Sequence, residues 1–407
     1  MTDRDAAAWG AICAWPDAAG APLLYAGVDM AQVSRFLLWD RVGRAVRRRV
    51  GAATPADEQS PGSAVTVSRV PATRGRFPVP LQRMRAAMVR RLARRGRAVL
   101  YCPFAHSRHA RLIEPLLEYA HALAITLPQK EVWRWPETLP FVTMDVTRNA
   151  EDRAFSDKLV AGIVKGLAEN DVSLEPRDVE SLVPRVAEQC RTVREARASL
   201  ECLRPNGLLV PGDNHSPFME WVLVARDMGI PVILSQHGMD CEHHCLSEAY
   251  ASHIACWGEG RRQRYSRESS YQPTMALTGN PFYDAMADVP DRGGEANTWL
   301  WLTRPHKTEK CYLASRHPDE GVRILDALFD ALHERPDAKL LIKPHSFDDA
   351  DRYGSRVRER GLEARVEIVH TSVVQLVEKA SLVITEDSTA GMDVMLWGRP
   401  LVHAHFA

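Results

Sequence analysis

Residues Ala380–Ala407 read ASLVITEDSTAGMDVMLWGRPLVHAHFA. Ser381–Thr385 is an apolar, β-branched run, short enough to be a strand buried on both faces. Glu386-Asp387-Ser388-Thr389 is a polar turn able to cap a helix, and Ala390–Trp397 carries Met392, Met395 and Leu396 at helical spacing. Gly398 ends that helix, Arg399-Pro400 follows, and Leu401-Val402 opens another strand. Such a strand–loop–helix–strand unit belongs at the carboxyl edge of a parallel sheet, where open α/β folds bind their ligands. The amides at the helix start and the hydroxyls of Ser388 and Thr389 form a candidate anion site. An ordinary βαβ element with a Ser/Thr cap accounts for the same residues equally well.

Upstream, the same alternation recurs in two runs. The first contains strands at Ala98–Phe104, Leu139–Val146, Gly207–Val210, Pro231–Ser235, His253–Trp257 and Met275–Leu277, with helices at 110–123, 152–167, 179–203 and 217–228. The polar stretch Pro290–Asn297, with Gly293-Gly294, reads as a boundary. The second run has strands at Thr298–Thr303, Lys339–Ile342 and Val366–Val369, with helices at 320–335 and 372–379, and then the closing unit. Strands alternating with helices predict parallel sheets covered on both faces. The expected fold is therefore α/β, with two Rossmann-like domains facing a cleft, at 98–290 and 297–407. The chain stops at Ala407 soon after its last strand, so the second domain is expected to be truncated.

Residues 1–97 are expected to form an N-terminal extension. Its first 20 residues are Ala-rich and match no element clearly, Leu23–Val28 reads as a strand, and Val33–Val50 as a helix with a basic outer face. Residues 51–80 read as a linker. In Leu81–Arg95, Leu81, Met84, Met88 and Leu92 lie three, four and four residues apart, and Arg83, Arg85, Arg90, Arg91, Arg94 and Arg95 fill most of the remainder. That is a basic amphipathic helix. Either it turns its apolar stripe into the domain, the reading favoured on sequence, or it lies on an anionic membrane surface.

Lys+Arg and Asp+Glu both total 52, so net charge gives no reason to expect nucleic acid as a partner. The N-terminus has no signal pattern, and no run approaches a membrane-spanning length. The expected location is the cytoplasm, in solution or at the inner membrane. The eight scattered cysteines then read as reduced thiols.

The loops after strands hold the candidate chemistry. In the second half they offer Arg304, His306 and Lys307, then Lys343 and His345, then Glu386, Asp387, Ser388 and Thr389. Several cations together suit a phosphate or diphosphate, and the acidic pair suits a ribose or sugar hydroxyl. In the first half the same edge offers His106 and His109, Asp213 and His215, and Gln236 and His237. These suit an acceptor that needs a general base, and His237, Asp213 and His215 are the leading candidates. Cys241-Glu242-His243-His244-Cys245 lacks the second ligand pair of a recognised zinc site, so no metal is expected. The sequence contains no Walker A pattern, no G-x-G-x-x-G after a strand and no G-x-S-x-G, which argues against P-loop kinases, nicotinamide dehydrogenases and the usual serine hydrolases.

Gln236-His237-Gly238, Trp257-Gly258-Glu259, Thr278-Gly279-Asn280-Pro281 with Asp284, Lys343-Pro344-His345, and Asp387-Ser388-Thr389 with Gly398-Arg399-Pro400 form an ordered series. From Gly207 to Ala407 it resembles GT-B-fold enzymes of bacterial surface-polysaccharide synthesis. The groups it is most similar to are the capsule polysaccharide synthesis proteins and the CDP-glycerol glycerophosphotransferases. The resemblance implies a glycosyltransferase that moves a sugar or polyol phosphate from a nucleotide-activated donor to a saccharide or lipid-linked acceptor. It places donor phosphate on Lys343, His345, Ser388, Thr389 and Arg304, and implies no cofactor and no metal. The teichoic acid group usually shows Asp-Tyr-Ser-Ser where this chain has Glu386-Asp387-Ser388-Thr389, which counts against glycerol phosphate as donor. Thr278-Gly279-Asn280 with Asp284-Ala285 also echoes UDP-N-acetylglucosamine 2-epimerases, whose His-x-Glu-Ala-Gly motif is absent around His237. A third expectation is a non-catalytic assembly protein that binds a nucleotide sugar.

Overall fold

The computed structural model describes residues 3–20, 23–49, 79–93, 98–103, 122–125, 138–140, 146–147, 149–236, 248–286, 294–304, 320–345, 348, 350–386 and 388–404. The described residues fall into two compact units, one running to Phe282 and one beginning at Tyr283.

The first unit is built on a parallel sheet of β3 (Val99–Cys102), β4 (Ala122–Ile125), β5 (Thr138–Pro140), β6 (Gly207–Val210), β7 (Val232–Ser235), β8 (His253–Cys256) and β9 (Thr274–Leu277). Its order is β5-β4-β3-β6-β7-β8-β9. The chain winds outward from β3 in one direction, then returns to its other side with β6. That reversal is the topological switch point of a doubly wound sheet. All four residues of β6 are buried, as a central parallel strand requires. β4 was not foreseen, because its alanine-rich sequence continues the helical pattern expected over 110–123.

Residues 3–49, assigned on sequence to an extension, belong to this unit. They form α1 (Asp3–Ala19), a hairpin of β1 (Leu24–Tyr25) and β2 (Val28–Asp29), and α2 (Met30–Arg49). The expected single strand over 23–28 is therefore two short strands. Ala26 and Gly27, with φ of 46° and 79°, make the turn whose twist suits a tight hairpin. Ala8, Ala11, Ile12, Trp15 and Ala19 line the buried face of α1. This face meets α4 (Ala150–Glu169), which in turn packs on the long α5 (Pro176–Leu203). A capping box between Asn149 and Asp152 starts α4. Asp152 also accepts from Tyr25 Oη at 2.6 Å and pairs with Arg194 at 2.6 Å, which ties the hairpin to both helices. α6 (Phe218–Asp227) follows β6, and α7 (Glu259–Glu268) follows β8. α7, with sequence EGRRQRYSRE, is polar on nearly every face, so its periodicity is silent in the sequence.

α3 (Val79–Ala93) forms where a basic amphipathic helix was expected, but the two methionines of its expected inward stripe do not turn inward. Ala86 and Val89 are buried, whereas Met84 and Met88 are exposed. The helix packs on α5, and Arg90 donates to the Cys202 carbonyl there.

The second unit holds a parallel sheet of β10 (Thr298–Leu302), β11 (Lys339–Lys343), β12 (Val366–Ile368), β13 (Leu382–Thr385) and β14 (Leu401–His403), in the order β12-β11-β10-β13-β14. Successive side chains of β10 point to opposite faces. Trp301 joins a cluster with α8 (Glu320–Glu334) and α9 (Ala350–Glu359) through Leu325, Phe329, Tyr353 and Val357. Leu300 and Leu302 join a cluster with α10 (Val373–Lys379) and α11 (Ala390–Leu396) through Leu376, Val377 and Val394. Helices thus cover both faces, and the expected α/β class with two Rossmann-like parallel-sheet domains is what forms. No helix of the described residues is long and apolar enough to cross a membrane.

Candidate functional site

In the second unit the sheet order reverses between β10 and β13, so the crevice at their carboxyl ends is the natural ligand position. β10 delivers Thr303 and Arg304 there, β11 delivers Lys343 and His345, and β13 delivers Glu386. The register of β10 against β11 aligns Leu302 with Lys343, and against β13 aligns it with Thr385, so the three ends are level.

Hydrogen bonds fix this edge. The Thr303 amide donates to the Lys343 carbonyl at 3.2 Å. Thr303 Oγ1 accepts the His345 amide at 3.0 Å and donates to Asp348 Oδ2 at 2.7 Å. Tyr353 donates its hydroxyl proton to the same carboxylate oxygen. Burial, with the neighbouring charges of Asp348 and Glu386, raises the Tyr353 pKa far out of reach and keeps the phenol protonated. Lys343 Nζ lies 3.3 Å from the Pro344 carbonyl.

The cations share one neighbourhood. Burial lowers the His345 pKa, the charge of Arg304 lowers it further, Asp348 opposes this, and Lys343 adds to the depression. His345 is therefore a neutral imidazole at pH 7 beside two fixed positive charges. Nη1 of Arg304 is buried and has no hydrogen-bond partner among the described residues. A guanidinium nitrogen in that condition suits an anionic oxygen. Glu386, by contrast, is a buried carboxylate only 1% exposed.

The helix start is a weaker contributor than its sequence implies. α11 is seven residues long, Thr389 makes no side-chain cap, and Ser388 Oγ already accepts the Ala390 amide at 3.3 Å. Asp387, His306 and Lys307 lie outside the described residues.

In the first unit, β6 leads to Asp213 and His215 at the corresponding switch point between β3 and β6. Asp213 is 1% exposed, and one carboxylate oxygen accepts the amides of Tyr250 and Ala251 at 2.8 and 3.0 Å. Burial raises its pKa against those two hydrogen bonds. That oxygen thereby holds the backbone that leads into β8. His215 is half-buried, its ring packed on Phe36 and Phe218 with Nδ1 3.0 Å from Asn214 Oδ1. Gln236 Oε1 accepts the Trp257 amide at 2.9 Å and so joins the ends of β7 and β8. His237, His106, His109 and the Cys241–Cys245 stretch lie outside the described residues, and among those described no group of acidic, His and Cys side chains is arranged to hold a metal.

Thr303, Asp348 and Tyr353 were not singled out in the sequence. The signal available was positional: Thr303 ends the β10 run, and Asp348 follows the Lys343-Pro344-His345 turn.

No protein-family model matches the chain, and no curated protein matches its sequence. Solved structures do show likeness. UDP-GlcNAc 2-epimerase from Methanocaldococcus jannaschii, in complex with UDP-GlcNAc and UDP, is 13% identical with a TM-score of 0.43, covering 75% of this chain and 83% of that one. A glycosyltransferase from Rickettsia africae ESF-5 is 9% identical with a TM-score of 0.42, covering 75% and 79%. The pneumococcal O-GlcNAc transferase GtfA, in complex with UDP and GlcNAc, is 14% identical with a TM-score of 0.39, covering 54% and 46%.

Proposed function

We propose that the second unit binds the phosphates of a nucleotide-activated donor at the carboxyl ends of β10, β11 and β13. The protein would transfer the activated sugar, or polyol phosphate, to a saccharide or lipid-linked acceptor. The observation that carries this reading is Arg304, whose buried Nη1 has no partner among the described residues, with Lys343 and His345 at the end of the next strand. Held cations at a sheet edge suit an anion that arrives and leaves. Ser388 and Thr389, at the start of α11, are then the groups offered to the sugar or ribose as hydrogen-bond partners.

In sugar transfer an acceptor hydroxyl attacks the activated carbon. The bond from that carbon to the phosphate oxygen breaks, and the nucleotide leaves with the electron pair. Arg304 and Lys343 stabilise the negative charge that develops on the leaving group. The acceptor proton passes to a base, for which the sequence offers His237, Asp213 and His215 as candidates. Fixed cations do the work a metal does elsewhere, so the proposal includes no metal.

A thermal-shift series with CMP, CDP, UDP, GDP and dTDP tests this on wild type, Arg304→Ala and Lys343→Ala. A ligand that binds only the folded state raises the melting temperature by mass action. The expected result is that one nucleotide stabilises wild type and neither variant. If none stabilises wild type, the donor reading fails. Turnover of a free nucleotide sugar with no acceptor would replace transfer by epimerisation.

A further inference from the structure

The exposed face of α3 pairs apolar and cationic groups. Pro80, Arg83, Met84, Ala87, Met88 and Arg91 recur at three- and four-residue spacing and are all exposed, Met84 by 62% and Met88 by 53%. The opposite face is already used: Ala86 and Val89 are buried, and Arg90 is bound to the Cys202 carbonyl. Both methionines therefore stand in solvent because the packing of the helix puts them there.

The other basic run of the chain behaves differently. In α2, Arg44 pairs with Asp178 at 2.8 Å, Arg48 with Glu175 at 3.0 Å and Arg49 with Asp171 at 3.3 Å, and Arg41 is buried. Three of its arginines thus meet carboxylates of the same unit, and Arg41 donates to Ser181 and the Leu37 carbonyl. Among the described residues neither Arg83 nor Arg91 makes an ion pair, and they flank Met84 and Met88 at either end of the exposed face.

We infer that this face of α3 docks on an anionic lipid surface, with Met84 and Met88 entering the headgroup–acyl boundary and Arg83 and Arg91 meeting lipid phosphates. The charge complements an anionic bilayer, and the two central thioethers select it over nucleic acid. Polyphosphate binding uses cations and has no need of two exposed apolar side chains at the centre of the patch. A bilayer needs both, since apolar burial and electrostatic attraction together set interfacial affinity. Unbranched methionine adapts to a fluid surface without a fitted pocket. The inference concerns the first unit alone and does not depend on the donor site.

The test is flotation of the full chain with vesicles of phosphatidylcholine, with and without phosphatidylglycerol. Wild type should float with the anionic vesicles, stay behind with the neutral ones, and be released by high salt. Met84→Ser with Met88→Ser should lower the partition coefficient about tenfold, as loss of two partly buried side chains requires. Arg83→Glu with Arg91→Glu should lower it by at least as much. The four positions are exposed, so both double variants should melt with wild type. Failure of wild type to float overturns the inference. So does a methionine variant that floats undiminished. Retention of a labelled DNA duplex that is lost in the arginine variant and kept in the methionine variant would assign the face to phosphate polymers and overturn it as well.

Discussion

Thr303 Oγ1 donates to Asp348 Oδ2 at 2.7 Å, and the same oxygen accepts the His345 amide at 3.0 Å. One hydroxyl at the end of β10 thereby fixes the turn after β11, and with it the imidazole beside Arg304. Replacing Thr303 by Val keeps the shape and removes both bonds. The change leaves a half-buried carboxylate short of a donor and an amide short of an acceptor, at a cost of about 1–3 kcal/mol. We expect a lower melting temperature, and a loss of nucleotide-induced stabilisation beyond what the lower starting point explains. A Thr303→Val protein that melts and responds to nucleotide like wild type would show that the turn is held elsewhere.

Asp213 was a candidate base on sequence, and its placement makes a different prediction. Asp213→Ala strands two buried amides, at Tyr250 and Ala251, and should destabilise the first unit by about 2–4 kcal/mol. Asp213→Asn, which keeps an accepting oxygen, should recover most of that stability. The measurement is chemical denaturation of both variants. A catalytic base would give the reverse pattern, with both variants stable and both inactive.

Glu220 in α6 is fully buried. Ser216 Oγ donates to its Oε1 at 2.5 Å, and its Oε2 has no hydrogen-bond partner among the described residues. Burial, with a lesser push from the Glu188 charge, raises its pKa from 4.5 to about 7. Between those two values the folded protein holds a proton that the unfolded chain has released, so stability falls as pH rises through the window. Above it the full penalty remains, on the order of 3 kcal/mol. Glu220→Gln should therefore be more stable than wild type at pH 8 and similar near pH 4. Melting temperature against pH reads this directly, and an unchanged slope in the variant would assign the dependence to another group.

Legibility followed the physics of each element. Trp301 with Leu300 and Leu302 gave a run too apolar for a one-sided strand, and the structure buries it between two helical layers. Lys343 and His345 stood out because charged residues directly after a buried run have few structural uses. Tyr353 and Asp348 were hidden, since their contacts to Thr303 join positions 45 or more residues apart from it only after the sheet has formed. α3 misled because spacing names a stripe without saying which neighbour it meets. Ala86 and Val89, smaller than Met84 and Met88, let the helix approach α5 closely, and packing took that face.

α1 was obscure for a related reason. Its buried positions are mostly alanines, which register as composition rather than pattern, and their value lies in close approach. Gly166 in α4 shows how close: a Cβ there would lie 2.2 Å from the Trp15 carbonyl oxygen. Neither backbone can yield without separating the helices, so Gly166→Ala should cost about 1–3 kcal/mol or more. Gly10, on α1 itself, has nothing within 4 Å of its would-be Cβ. Gly10→Ala gains helix propensity and should stabilise by up to about 1 kcal/mol. Limited proteolysis should then cut near α1 faster in Gly166→Ala and no faster in Gly10→Ala. Equal protection of the two variants would mean that α1 does not rest on α4 at Trp15, and that residues 3–19 are dispensable to the first unit.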